Sequence, residues 1–227
     1  MGPYSHYALA AKLESILQPE NANEYYWGAV APDIRYPANL PRDRTHLSQD
    51  RIKELASCYP HLKSFLTGYH VHILIDQIDV SKVLAASFPL KIFKRALRRI
   101  SPQQMVMLVE MVSLQNGASG EPMSGAHNEV LAELGVTPEQ TRIYYQSLQS
   151  YFDKRSFEVA ISAFQEIGMI EKSRLERYIN AYRSWQKRRW MKTLLSLSIK
   201  TSKLEQKVVA HVSRSCEPRI CAARLTG

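Results

Sequence analysis

The stretch GYHVHILIDQID, residues 68–79, sets His70, His72, Asp76 and Asp79 among large apolar residues. On a helix, His72 and Asp76 stand one turn apart and point to the same side, a spacing at which two side chains grip one metal ion or hydrogen-bond to each other. A charged Asp76 inside an apolar run is costly unless it is paired or bound to a cation. The two readings are therefore a metal-ligand pair and a buried His–Asp pair. His70 lies on a different face and reads as a supporting or surface group. Asp79, three residues past Asp76, is a candidate to hydrogen-bond a ligating imidazole.

Two upstream stretches share this character. SHYALA carries His6 at the opening of the first helix, and WGAVAPDIRYPANLPRDRTHLS carries Asp33 after a proline and His46 after an arginine-rich loop. Imidazoles with carboxylates suit zinc, and an open coordination position lets a bound water ionise near neutral pH and attack phosphorus. Arg35, Arg42 and Arg44, between Asp33 and His46, are placed to hold a phosphate oxygen by a paired donor fork, or else belong to a solvated loop. Glu110 in MVMLVEMVSL is an acid among Met, Val and Leu. Buried unpaired it would cost roughly several kcal/mol, so it reads as a metal ligand, a partner of one, or a helix-edge residue facing solvent.

The order SHY, GAVAPD, RTH, GYHVHILID resembles the zinc-dependent phospholipase C-like family, over residues 3–80. Its members pair a histidine on the first helix with G-x-x-x-P-D, T-H and G-Y-x-x-H-x-x-x-D elements, and the ordered set is more specific than any one element. The resemblance implies an all-α phospholipase C-like fold in which Asp33, His46, His72 and Asp76 surround one zinc, with His6 and Asp76 contributing to a second. For a phosphoesterase, zinc-bound water would be the nucleophile, oriented or deprotonated by Asp33. The family's three-metal members use a later His-x-x-x-His or His-x-x-x-Glu helix. In GAHNEVLAELG the acids Glu129 and Glu133 stand two and six residues after His127. One or two zinc ions are expected rather than three.

The elements that must position these groups are helical. Apolar residues recur three and four apart over residues 3–17, 48–57, 61–80, 102–114, 138–152, 156–167 and 172–212, and no convincing strand alternation appears. SPQQ and TPEQ each place Ser or Thr before a proline, with Gln at the third helical position, a helix-start signature. Residues 19–43 and 115–126 read as loops rich in Pro, Gly, Asn and Ser. The expectation is a single all-α domain, with a helical metal-binding body over residues 1–171. A long basic C-terminal helix and tail over 172–227 would pack on the same body, its last residues from about Ser213 loose.

The 227 residues are 45% apolar, as expected of a chain that buries a real core. No run of about 18 apolar residues and no basic-then-apolar leader is apparent, so a cytoplasmic location without a transmembrane segment is expected. Cys58, Cys216 and Cys221 are odd in number and lack paired metal-ligand spacing, which argues for reduced, incidental thiols. The net charge of +9 belongs to the tail, where residues 172–227 carry 14 Lys or Arg against 3 acids. Its stretch YRSWQKRRWMK interleaves Trp185 and Trp190 with Arg183, Lys187, Arg188, Arg189 and Lys192. Such a helix fits an anionic membrane surface or a nucleic-acid backbone, or packs its apolar face on the body with its basic face solvated. The functional expectation is a zinc-dependent phosphoric ester hydrolase. The alternative is a non-catalytic helical binding protein with a structural metal or polar network and an anion-binding tail.

Overall fold

Helix α1 (Pro3–Leu17) begins at a proline and ends where Gln18 turns left-handed at φ 45°. Proline's missing N–H costs nothing at the first helical position. The computed structural model describes residues 2–79, 82–83, 110, 123–154, 156–171, 173, 176, 179–180, 183 and 203–215. Among these, all regular structure is helical.

Residues 19–43, expected as a loop, instead hold three helical pieces and the start of a fourth. Helix α2 (Ala22–Val30) is capped by Asn21, whose side chain accepts from the Glu24 N–H at 3.2 Å. A 3-10 turn (Ala31–Ile34) and the short α3 (Arg35–Ala38) follow, and α4 (Arg42–Thr45) comes next. The aromatic run YYW has modest helix propensity and masked α2 in the sequence. Burial holds the helix instead, since Tyr25, Tyr26 and Trp27 are all inside.

The framework continues with α5 (Gln49–Cys58), a 3-10 turn (Pro60–Leu62) and α6 (Lys63–Asp76). After these come α7 (Glu129–Glu133), α8 (Pro138–Lys154), α9 (Phe157–Glu166) and α10 (Leu204–Ser215). The TPEQ signature opens α8 with a reciprocal cap: the Gln140 N–H donates to Thr137 Oγ1 at 3.2 Å, and the Thr137 N–H to Gln140 Oε1 at 2.8 Å. The 102–114 helix and SPQQ lie outside the described residues, apart from a helical Glu110.

Helices α2 and α6 cross backbone against backbone. A Cβ placed on Gly28 would stand 1.9 Å from the Phe65 carbonyl oxygen, and one on Gly68 would stand 1.9 Å from that of Tyr25. Only glycine at both positions permits this approach, which explains the glycines of GAVAPD and GYHVH in steric terms. Helix α1 lies on both α2 and α6, α10 covers α1 and α6, and α8 packs on α9 and on residues 31–38.

Among the described residues, the C-terminal region departs from expectation in two places. Lys203 is left-handed at φ 50°, so α10 starts afresh at Leu204 rather than continuing from residue 172, and it stays helical through Ser215. Trp185, Trp190, Lys187, Arg188, Arg189 and Lys192 lie outside the described residues, as do Cys216 and Cys221, while Cys58 is an exposed free thiol. Among the described residues, no helix is long and apolar enough to cross a membrane.

Candidate metal centre

The glycine crossing sets the distances. His72 and Asp76 follow Gly68 by one and two helical turns, so the α6 face that meets α2 carries both toward the turn holding Asp33. Helix α1 delivers His6 from one side, and His46, at the C-terminal cap of α4, arrives from another. Two overlapping sets of ligand atoms result, His6–Asp33–His72 and His46–His72–Asp76, each with its members within 4.8 Å of one another.

The backbone fixes how the imidazoles face. His6 Nδ1 lies 3.0 Å from the Gly2 carbonyl oxygen and His72 Nδ1 lies 2.9 Å from that of Ala29. A carbonyl only accepts, so each Nδ1 carries a proton; His72 Nε2 keeps its lone pair, whereas His6 Nε2 either keeps its own for a metal or, in the doubly protonated ring, donates to Asp76. His46 Nδ1 is held by Thr45 Oγ1 at 3.2 Å. The Nε2 atoms then converge on Asp76, with His6 at 3.1 Å from Oδ1 and His46 at 3.1 Å from Oδ2. His72 Nε2 is 3.8 Å from Oδ2, beyond hydrogen bonding, and has no partner although it is buried. The His6 and His72 rings stack at 3.8 Å between centroids.

Two features of this arrangement leave it short of positive charge or of donors, which a second proton on His6, a water or a bound cation would supply. Both ring nitrogens of His6 face acceptors, which a neutral imidazole cannot satisfy with its single proton. His72 Nε2 and Asp33 Oδ2 are buried without hydrogen-bond partners, a cost that native structures rarely carry without an ion, a water or a function to explain it. Imidazole nitrogens and carboxylate oxygens are donors of the kind zinc takes.

The electrostatics follow from burial. Asp33 is pushed up by desolvation, and the nearby Asp76 adds to the rise. His72 is held well below the usual imidazole range by desolvation and by its neighbour His6. Burial also pushes Asp76 up, but hydrogen bonds from His46 and His6 outweigh it and hold the carboxyl well below the usual range.

Compared with protein-family models, with curated proteins and with solved structures, the chain matches none. The chemistry rests on the site itself.

All five expected donors, His6, Asp33, His46, His72 and Asp76, meet here. The other candidates separate. Arg42 Nη2 donates to Asp76 Oδ2 at 2.6 Å. Arg44 is turned away, its Nε donating to the Leu134 carbonyl at 3.3 Å. Arg35 lies over the Tyr36 ring at 4.0 Å and donates to its hydroxyl. Glu110 is no ligand of this set, because its carboxylate accepts from the Tyr4 and Ser5 N–H groups at 2.7 and 2.8 Å. It supports His6 at one remove, by holding the start of α1. His70 is buried two residues before His72 on α6 and so on another face of the helix, where desolvation, then Lys53 of α5, lowers its pKa. Asp79 pairs with Lys82 at 3.3 Å and caps the turn after α6 rather than a ligating ring. Trp27 and Tyr69 pack in the core. His61 pairs with Glu129, and Glu133 with Arg51.

Several supports were not legible in the sequence. The Tyr69 hydroxyl donates to the carbonyl of Thr45, the residue before His46, and the Tyr144 hydroxyl donates to that of Val30 at 2.8 Å, just ahead of Asp33. Tyr36 stands close enough to Asp33 for that carboxylate to add to the upward push of burial on its hydroxyl. Tyr144 is 114 residues from Val30 in sequence, so no local pattern announces the contact.

Proposed function

We propose that the chain is a zinc-dependent phosphoesterase of the phospholipase C-like kind. The observation that carries this reading is the pair of buried, partnerless atoms, His72 Nε2 and Asp33 Oδ2, within a cluster of three imidazoles and two carboxylates. His6, Asp33 and His72, or His46, His72 and Asp76, would hold an ion. His72 has one free lone pair and so serves one ion; a second would rest on the remaining residues. When bound, zinc supplies a Lewis acid and brings the ionisation of a coordinated water near neutral pH. Asp33 orients the nucleophile and accepts its proton. Arg42, on the exposed side of Asp76, offers a guanidinium to an anionic phosphoryl oxygen.

The test combines metal analysis with hydrolysis of a panel of phosphomonoesters, phosphodiesters and phospholipids. Hydrolysis lost to chelation and restored by zinc is expected, with Asp33→Asn keeping much of its metal and losing most turnover. A fully loaded protein that hydrolyses none of them, and whose cobalt form shows four protein ligands and no exchangeable water, overturns the enzyme reading.

One observation favours the second reading, a non-catalytic binding protein: Asp76 already carries hydrogen bonds from His6, His46 and Arg42, a network able to clasp three helices without turnover. A basic tail engaging anionic lipid or nucleic acid fits either reading, and its binding would then fall steeply with salt.

A further inference from the structure

We infer that Arg42 is an internal counter-cation that competes with the metal for Asp76 and, once displaced, becomes the site's anion-binding arm. The inference rests on the zinc phosphoesterase reading and adds how its site loads and what holds the substrate's charge.

Arg42 Nη2 sits 2.6 Å from Asp76 Oδ2, the oxygen that His46 Nε2 faces at 3.1 Å and His72 Nε2 at 3.8 Å. Guanidinium and metal therefore draw on one carboxylate. The two partners are unlike in solvent access: the Arg42 side chain is 52% exposed and that of Asp76 only 10%. Its main chain is anchored, since the Arg42 carbonyl accepts the His46 N–H at 2.8 Å. The side chain can thus leave Asp76 without moving the ligand His46. Arg35 and Arg44 have no such freedom, being committed to Tyr36 and to the Leu134 carbonyl.

A divalent ion at Asp76 repels a guanidinium on the same carboxylate. The exposed fork then swings outward, where its paired donors match the oxygens of a phosphoryl group. A single residue would exchange an internal carboxylate for a substrate anion as the metal arrives.

The experiment titrates zinc alone into the full chain, then inorganic phosphate into the zinc-loaded protein, for wild type, Arg42→Met and Arg42→Lys. Arg42→Met should bind zinc about three- to tenfold tighter, the scale of one partly exposed ion pair. It should bind phosphate about tenfold or more weaker. Arg42→Lys keeps the competing charge and should stay near wild type for zinc while losing part of the phosphate affinity. Zinc affinity that is equal or weaker in Arg42→Met, or phosphate affinity that is unchanged, overturns the inference and leaves the metal reading standing. Absence of zinc binding in both wild type and Arg42→Met overturns the two together.

Discussion

Asp33 and Glu110 are both buried carboxylates, 4% and 1% exposed, and desolvation pushes both upward. Their surroundings differ. Glu110 receives the Tyr4 and Ser5 N–H groups, the Ser5 hydroxyl and the Tyr151 hydroxyl, the last at 3.0 Å, and so completes the open N-terminus of α1. Asp33 leaves Oδ2 without any hydrogen bond. A buried acid met by four donors is part of the scaffold, whereas Asp33 is left short beside an unpaired imidazole nitrogen of His72. His70 is likewise buried but belongs to neither set of ligand atoms, whereas His72 belongs to both.

The largest expected effect removes the frame that both acids share. Gly68→Ala drives a methyl into the Tyr25 carbonyl, and the chain should lose more than about 4 kcal/mol of stability or fail to fold. Urea denaturation measures it, and near-wild-type stability would mean that the α2–α6 crossing is looser than described.

Next comes the scaffold acid. Glu110→Ala strands four donors and should cost about 3 to 5 kcal/mol with or without zinc, whereas Glu110→Gln, which keeps one acceptor oxygen, should cost about half as much. A loss seen only in zinc-loaded protein would place Glu110 among the metal's own partners and dissolve the contrast.

The smallest stability effect belongs to the site acid. Asp33→Asn removes a buried charge that lacks a full set of partners, so metal-free stability should hold steady or rise by about 1 kcal/mol while zinc affinity falls only modestly, the amide keeping one oxygen for the metal. Thermal melts with and without chelator separate the two. A metal-free loss beyond about 2 kcal/mol would make Asp33 a scaffold residue like Glu110.

Legibility in the sequence followed the range of the interaction. His72 and Asp76 were readable because both lie on one helix at a spacing that fixes their common face, and His6, Asp33 and His46 because they stand in short ordered elements. The reciprocal Thr137–Gln140 cap is local and was readable for the same reason. Helix α2 was missed because tertiary burial of its aromatics, not propensity, holds it. The sorting of Arg35, Arg42 and Arg44 depends on what lies across from each: a neighbouring ring, an α6 carboxylate and the C-terminal end of α7. Glu110 looked anomalous only because the amides it serves lie 106 and 105 residues earlier.

Whether the cluster is built for a metal is decided by a zinc titration followed by thermal melting, run on wild type and His72→Leu. Wild type should bind at least one equivalent and gain roughly 5 to 10 °C at saturating zinc. His72→Leu should lose that gain while its metal-free form melts close to wild type, since leucine removes a buried partnerless nitrogen together with the single Nδ1 bond to the Ala29 carbonyl. If zinc leaves the wild-type melting temperature unchanged and His72→Leu lowers metal-free stability by several kcal/mol, roughly the cost of breaking a working buried polar network, the histidines and aspartates are a structural clasp and the metal claim is contradicted.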